Sequence, residues 1–234
     1  FLWMEQSRSP RWITFPKLIE ESPSAAVSPE LREKMGHAAV TAAKAAGYVN
    51  AGTIEFLLEP DGKFWFMEMN TRIQVEHPVT EWVTGIDLVK EQLKIASGMP
   101  LEIAQEDVQI QGHAIECRIN AENPQKNFRP SPGTIQGAHF PGGNGIRVDT
   151  CVYNGCKIPP YYDSMLAKLI VHAGNRKEAI AKMQSALGEV IIDGIDTNID
   201  YQYEILKDED YQSGNFDTGF LASHIIAGVK INEN

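Results

Sequence analysis

Hydrophobic and polar positions follow two different periods along the chain, and the changes between them predict its elements. The stretch "SPELREKMGHAAVTAAKAAGY" is typical of a helix, with Ser28 as N-cap, Pro29 at the first helical position and Gly47 at the end. A second helix is predicted in "DLVKEQLKIASG", from the cap Asp87 to the stop Gly98.

Between these helices, "GTIEFLLEPDGKFWFMEMN" predicts a β-hairpin, because two β-rich runs flank a Pro-Asp-Gly turn. If Asp61 and Gly62 form a two-residue turn, counting back places Glu55 opposite Glu68. A three-residue turn would shift this register by one residue.

The second half of the chain has short strands and many turns. "HAIECRINAE", "MLAKLIVHA" and "VIIDGI" predict strands, and the Gly- and Pro-rich stretch between the first two predicts loops with short β segments. "NRKEAIAKMQSALGEV" predicts a helix with Asn175 as N-cap and Glu178 in the capping-box position. The helix "NIDYQYEILKD" and a short terminal helix complete an α+β pattern. "GMPLEIAQEDVQIQG" marks the predicted seam between domains 1–109 and 110–234.

Composition and charge argue against nucleic-acid binding and against a membrane span. The chain has 234 residues, 43% hydrophobic, and a net charge of −10, which argues against a nucleic-acid-binding surface. No apolar run approaches the roughly 20 residues that a membrane span needs, and no signal peptide is evident. We therefore expect a cytoplasmic protein that contacts neither membrane nor nucleic acid. The odd number of cysteines predicts reduced thiols at Cys117, Cys151 and Cys156.

Polar residues alternate through "FMEMNTRIQVEHPVTE", which continues from the second hairpin strand. In an extended chain, this period of two sends five polar side chains to one face. They are Glu68, Asn70, Arg72, Gln74 and Glu76. Pro78 is expected to end the strand, because proline cannot donate to a sheet ladder.

This polar face has the composition of a catalytic site. Opposed carboxylates at Glu55 and Glu68 lie about 5 Å apart at Cβ and repel each other, and a divalent cation would remove that repulsion. Together with Asn70 they form an oxygen-only ligand set, which suits Mg²⁺ or Mn²⁺. The Arg72 guanidinium could hold a small anion, and Glu76 could act as a base. The alternative is a solvated polar face.

Longer runs of the sequence carry a family resemblance. "EMNTRIQVEHPVTE" with "TGIDLVKEQLKIASG", and then "GHAIECRINAE", "PSPGTI", "PPYYDSMLAKLI" and "DGIDTNIDYQ", resemble successive motifs of biotin carboxylases. The resemblance runs from about Lys17 to about His224. It implies the second half of an ATP-grasp domain followed by the biotin carboxylase C-terminal domain. It also implies a reaction in which ATP and bicarbonate form carboxyphosphate, which yields CO2 to carboxylate N1′ of biotin on a carrier protein.

The resemblance assigns roles at the nucleotide end of the site. Glu55, Glu68 and Asn70 would hold two Mg²⁺ or Mn²⁺ ions that bridge the ATP phosphates. Leu57 would line the adenine pocket, although an ordinary core leucine is an equal alternative.

The resemblance also assigns the bicarbonate end of the site. Glu76 would deprotonate bicarbonate. The implied bicarbonate-binding residues are Lys17, Arg72, Gln74 and the backbone around Val75.

Arg118 would stabilise the biotin enolate as it attacks CO2. The alternative is a surface salt bridge to Glu116 or Glu122. Polar and apolar residues alternate in "AIECRIN", which puts Glu116 and Arg118 on one face of the strand. The biotin role implied by the resemblance then predicts that Arg118 points into a cleft that it shares with Arg72 and Glu76. The opposite face, Ile115, Cys117 and Ile119, is predicted to pack on the core.

The parent enzyme is less sharply defined. The motifs most resemble the separate biotin carboxylase subunit of bacterial acetyl-CoA carboxylase, which serves fatty-acid synthesis and works with a biotin carboxyl carrier protein and carboxyltransferase subunits as a homodimer. Alternatives are pyruvate and propionyl-CoA carboxylases, another ATP-grasp ligase such as the carbamoyl phosphate synthetase large chain, or a non-catalytic binding module. Residues 1–16 fit no motif, and the family's Gly-rich phosphate loop is missing. We therefore expect the isolated chain to be inactive.

Overall fold

The computed structural model describes residues 18–217, 219–226 and 228–230. They form two compact units, one of residues Glu21–Ala114 and the other of residues 18–20 with the described residues from 115 onward. The division falls inside two strands, β1 (Ile19–Ser22) and β4 (His113–Asn120).

The first unit is built around a hairpin and three helices. Its elements are α1 (Pro29–Ala45), β2 (Thr53–Leu58), β3 (Phe64–Asn70), α2 (His77–Thr84) and α3 (Leu88–Ala96). The core forms where one face of α1 packs against β2. Its buried residues are Met35, Ala39, Ala43, Ile54 and Phe56.

Both predicted helices of this unit are confirmed, with their caps. Ser28 Oγ accepts a hydrogen bond from the amide of Leu31 at 3.2 Å, and Asp87 Oδ1 accepts one from Lys90 at 2.8 Å. These bonds satisfy amides in the first turn of each helix, which have no partner within the helix itself.

The predicted hairpin forms, but its turn differs from the prediction. The amide of Glu59 donates to the carbonyl of Lys63 at 2.8 Å, which leaves a three-residue loop instead of a two-residue turn. The register then shifts between Glu55 and Phe56, so that Met67 is an extra residue on β3. This β-bulge cancels the effect of the longer loop, and Glu55 pairs with Glu68 as predicted.

The prediction that β3 continues to residue 76 is wrong. The strand ends at Asn70, residues 71–76 form an irregular loop, and α2 begins at His77. Pro78 therefore does not end a strand but lies in the first turn of a helix that the sequence pattern did not predict. Proline fits there because the first amides of a helix need no partner within it.

The second unit contains most of the short strands. Its longer elements are β9 (Ile146–Thr150), β11 (Met165–Ala173), α4 (Arg176–Glu189) and α5 (Ile199–Lys207). Its short strands are β5 (Glu122–Asn123), β6 (Arg129–Pro130), β7 (Gly133–Thr134), β8 (Gly137–His139), β10 (Lys157–Ile158) and β12 (Ile191–Asp193). The last elements are α6 (Glu209–Ser213), α7 (Phe220–Ser223), β13 (Ile225–Ile226) and β14 (Val229–Lys230).

A four-stranded sheet in the order β1-β4-β11-β9 carries the main core. The predicted apolar face of β4 is confirmed, since its three residues are fully buried there: Ile115, Cys117 and Ile119. Burial raises the pKa of the Cys117 thiol well above its ordinary value. None of the three cysteines, all of which the structure describes, forms a disulfide.

The helix α4 begins as predicted, with one difference in its cap. Asn175 Oδ1 accepts from the amide of Glu178 at 3.0 Å. The return bond of the capping box goes to the amide of Gly174, which donates to Glu178 Oε2 at 3.2 Å. Within the described part of the chain, no helix is long and apolar enough to cross a bilayer.

Candidate active site

Four predicted site residues are joined by hydrogen bonds at one end of the hairpin. The Asn70 side-chain amide donates to Glu55 Oε1 at 2.8 Å and to Glu68 Oε1 at 3.2 Å. The Gln74 amide donates to the same Glu55 oxygen at 2.7 Å. Residues 71–76 therefore turn back toward the hairpin, and both side-chain amides stand against its carboxylates.

This cluster fits a hard divalent cation. Its two carboxylates lie on paired strands, one buried (Glu55, 4% exposed) and the other at the surface (Glu68). Every metal ligand that the cluster can offer is an oxygen, the atom that Mg²⁺ and Mn²⁺ prefer. Asn70 turns its NH2 group toward both carboxylates, so rotation of the amide by 180° would present its oxygen to a metal.

The loop of residues 71–76 also carries Arg72 and Glu76. The Arg72 guanidinium donates to the carbonyl of Ile73 at 3.1 Å, and Glu76 is 1% exposed. His77 Nδ1 donates to the carbonyl of Gln74 at 2.8 Å, which ties the start of α2 to the loop. Arg72 is thus at the surface, while Gln74 and Glu76 are buried.

A cavity of about 390 Å³ opens beside the loop. Arg72, Gln74 and His77 contribute its polar wall, while α1, α3 and residues 48–54 contribute a largely apolar wall. Glu91 and Gln92 of α3 add further polar groups, and a mostly apolar cavity with a few polar groups is the usual composition of a small-molecule site. Arg72 and Gln74 therefore line one cavity, although they lie on a loop and not on the predicted strand.

Arg118 lies on β4 in the second unit, where acidic groups fix its side chain. Its Nη2 donates to Glu20 Oε1 at 3.1 Å, and its Nε lies 4.0 Å from Glu116 Oε1. The alternative pairing with Glu116 is thus present at long range, and Glu20 is an additional partner. Glu116, which the alternation placed on the same face of β4 as Arg118, is fully buried. The convergence of Arg118 with Arg72 and Glu76 stays a prediction.

The other residues that the sequence assigned to the site are Leu57, Val75 and Lys17. Leu57 is half-buried on β2, opposite Trp65. Val75 is a half-buried loop residue. Lys17 lies outside the described residues.

Sequence reasoning missed several residues around the site. The alternating pattern placed His77 only at the end of a strand, and it did not single out Glu20. On α5, Asn198 and Gln202 both donate to the main-chain carbonyl of Arg118. A signal exists for this pair, since "TNIDYQ" places two amides four residues apart, on one face of a predicted helix.

Two family models match the chain. Residues 116–223 match the biotin carboxylase C-terminal domain, and residues 4–104 match the ATP-binding domain of the carbamoyl-phosphate synthase L chain. The chain belongs to the biotin carboxylase family. The resemblance inferred from the motifs is confirmed.

Individual relatives agree with this assignment. Biotin carboxylase 1 of Bacillus subtilis is 58% identical over 213 residues, which cover 91% of this chain and 47% of that protein. A pyruvate carboxylase subunit of Methanothermobacter thermautotrophicus is 57% identical over 205 residues, or 88% of this chain and 42% of that protein. The chain therefore spans about half the length of these relatives.

A solved structure is also similar. The biotin carboxylase domain dimer of Hydrogenobacter thermophilus 2-oxoglutarate carboxylase, in complex with MgADP, ADP and bicarbonate, matches with a TM-score of 0.86 at 50% identity. The match covers 87% of this chain and 45% of that one. The predicted fold class, the second half of an ATP-grasp domain followed by the biotin carboxylase C-terminal domain, is confirmed.

Proposed function

We propose that the chain supplies the metal-binding and biotin-facing part of an ATP-dependent biotin carboxylase. In this reaction, bicarbonate attacks the γ-phosphorus of ATP to give carboxyphosphate and ADP. Carboxyphosphate then releases CO2 and phosphate, and N1′ of biotin on a carrier protein attacks the CO2. The observation that carries the proposal is the cluster of Glu55, Glu68, Asn70 and Gln74.

The hairpin end suits the nucleotide. Glu55, Glu68 and Asn70 would hold two Mg²⁺ or Mn²⁺ ions, which supply positive charge that offsets the charge of the ATP phosphates. Gln74 donates to Glu55, so the carboxylate stays oriented when the Asn70 amide rotates to present its oxygen. Such preorganisation matters in phosphoryl transfer, where catalysis consists mostly of positioning and electrostatic stabilisation. The similar structure that binds MgADP supports this assignment.

The loop after the hairpin suits bicarbonate. Arg72 and Gln74 line one cavity, where a planar guanidinium and a side-chain amide match the oxygens of a small planar anion. Val75 contributes backbone to the same loop, and Lys17 is the further bicarbonate contact that the family resemblance implies. Glu76 is the proposed base, a buried carboxylate at the end of the same loop. Leu57 is the proposed adenine contact.

Arg118 is proposed to face the biotin ureido group. Its guanidinium is oriented by Glu20, and a fixed cation stabilises the negative charge that develops on the ureido oxygen. The proposed site therefore needs Arg118 close to Arg72 and Glu76.

The experiment separates the two partial reactions in the intact enzyme that contains this chain. Arg118→Ala should impair biotin carboxylation far more than bicarbonate-dependent ATP cleavage. The matched control is Arg129→Ala, which removes an exposed arginine of β6. Equal losses in both partial reactions would remove Arg118 from the biotin site. Absence of any bicarbonate-dependent ADP release from the wild-type enzyme would overturn the proposed function itself.

For the parent enzyme we propose an acetyl-CoA carboxylase of fatty-acid synthesis. It would be a cytoplasmic homodimer that works with a biotin carboxyl carrier protein and carboxyltransferase subunits. The motif resemblance supports this choice, while a biotin carboxylase of Bacillus subtilis and a pyruvate carboxylase subunit of Methanothermobacter thermautotrophicus are nearly equally similar to the chain. Supplying the purified complex with acetyl-CoA, pyruvate or 2-oxoglutarate in turn tests it, since only an acetyl-CoA carboxylase forms malonyl-CoA.

A further inference from the structure

Two buried amides of α5 hold the main chain at Arg118. Asn198 Nδ2 and Gln202 Nε2 donate to the Arg118 carbonyl oxygen at 3.0 and 2.7 Å. Both side chains are 0% exposed. The amide of Asn120 donates to Asn198 Oδ1 at 2.9 Å, so one side chain bridges two residues of β4. These contacts join segments that are 78 to 84 residues apart in sequence.

The orientation of both amides is fixed by their partners. A main-chain carbonyl only accepts and a main-chain amide only donates, so Asn198 can satisfy both partners in one orientation alone. The same reasoning turns the NH2 group of Gln202 toward Arg118.

Asn198 does not act as a helix cap through its side chain, and Gln202 is only partly hydrogen-bonded. Asn198 is the N-cap of α5, yet its side chain makes no capping bond within the helix. Gln202 Oε1 is buried and has no hydrogen-bond partner among the described residues. A buried oxygen without a partner is a desolvation cost that an apolar side chain would avoid. Gln202 therefore serves β4 at a cost to local stability, whereas both polar atoms of the Asn198 side chain are paired with β4.

The main-chain amide and the guanidinium of Arg118 have partners of their own. Its main-chain amide donates to the carbonyl of Leu18 at 2.9 Å, and its guanidinium donates to Glu20. The helix α5 thus fixes the main chain from which the side chain extends, while Glu20 fixes the charged head. Displacement of the main chain would move the guanidinium relative to any substrate.

We propose that Asn198 and Gln202 are positioning residues for Arg118 in biotin carboxylation. This inference rests on the proposed function of Arg118. Removal of either NH2 group should lower the rate of the biotin step and leave bicarbonate-dependent ATP cleavage unchanged. A misplacement near 1 Å in an active site lowers rates by up to about a hundredfold.

The first test is Gln202→Met in the intact enzyme. Methionine keeps the length of the side chain and removes both the donor and the unpartnered oxygen, so the melting temperature should fall little. Biotin-dependent turnover should fall roughly ten- to hundredfold, mainly in kcat. The matched control is Gln184→Met, because Gln184 of α4 donates in the same way to a main-chain carbonyl, that of Leu206, at 2.9 Å.

The second test separates positioning from folding. Asn198→Asp keeps the oxygen that accepts from Asn120 but sets a buried carboxylate oxygen against the Arg118 carbonyl, so a melting curve must accompany it. If the variant is folded, it should show the same selective loss, and if it is not, the Gln202→Met result decides. In the Arg118→Ala background, Gln202→Met should cause no further loss, because both substitutions act through one group.

The outcomes are distinguishable. Equal loss in both partial reactions, or full additivity with Arg118→Ala, would assign the pair a structural role only and overturn the inference. Wild-type turnover in both Gln202→Met and Asn198→Asp would also overturn it while Arg118→Ala remains impaired. If Arg118→Ala itself carboxylates biotin normally, the proposed role of Arg118 fails, and the inference fails with it.

Discussion

Glu55 and Glu68 stand directly opposite each other across the hairpin, although the loop between their strands has one residue more than a two-residue turn. The β-bulge at Met67 absorbs that residue and keeps both carboxylates on the pair of positions where a metal can bridge them. Asn70 donates to both, which partly offsets their repulsion when no metal is bound.

This pairing predicts the effect of Glu68→Gln in the isolated chain. Because the substitution removes one of two opposed charges, the melting temperature without metal should not fall. Added Mn²⁺ should stabilise the wild type, by about 2.7 kcal/mol at a hundred times its Kd, and should stabilise the variant much less. Calorimetric melting with increasing Mn²⁺ measures both effects, with Glu33→Gln on the exposed face of α1 as the control. Equal stabilisation of wild type and variant would exclude Glu68 as a ligand.

Substitutions in the loop should separate binding from chemistry in the intact enzyme. Glu76→Gln keeps the volume of a buried side chain, so nucleotide should still bind, while bicarbonate-dependent ADP release should fall by about 10²–10⁴-fold. Arg72→Lys should also be slow, because a point charge does not reproduce a planar fork. Glu102→Gln, an exposed carboxylate, is the control. Near-normal ADP release from both variants would show that Arg72 and Glu76 have no catalytic role.

The cap of α4 predicts a stability effect that is independent of catalysis. Asn175→Ala removes the acceptor for the amide of Glu178 and should lower the free energy of unfolding by about 1 kcal/mol. Asn175→Ser should restore most of this loss, because serine is also a strong N-cap residue. Urea denaturation of the three proteins compares them directly, and an alanine variant as stable as the wild type would contradict the assigned cap.

Stability near the C-terminus should depend on pH through His224. A hydrogen bond to the carbonyl of Phe220, reinforced by Asp210, raises the pKa of His224 above its usual 6.5. Bonds from Asn215 and His224 lower the pKa of Asp210 below 3.8.

The sign of each effect follows from these directions. Because the folded pKa of His224 is the higher one, its contribution is complete below pH 6.5 and is lost as pH rises through the folded value. The contribution of Asp210 is present above pH 3.8 and is lost as pH falls through its lowered pKa. His224→Gln should therefore flatten the decline in melting temperature above pH 6.5. An unchanged profile would show that His224 does not cause it.

Local sequence determined the helices α1, α3 and α4 and the buried face of β4, whereas α2 was not predicted. Ser28, Asp87 and Asn175 each cap the helix that follows them, because their short side chains reach amides within one turn. The apolar face of β4 was equally predictable, because a period of two is a property of the extended backbone itself. The pairing of Glu55 with Glu68 was also accessible from sequence, since hairpin pairing brings together carboxylates that lie on either side of a short turn.

Tertiary structure alone decided how the chain leaves β3. The alternation from Glu68 to Glu76 predicted one long strand, but Gln74 donates to Glu55 and His77 opens a helix, so the same polar residues reach the site from a loop. The Glu55–Gln74 contact joins the hairpin to residues beyond it, and no local sequence pattern predicted this contact or the bulge at Met67.

The support of Arg118 was also decided only in three dimensions. Its main-chain carbonyl accepts from Asn198 and Gln202, 80 and 84 residues further along the chain. Sequence alone identifies two amides on one helical face, but it does not identify the carbonyl that they satisfy. Such hydrogen bonds form because a buried polar group must be paired, and packing leaves only one partner within reach.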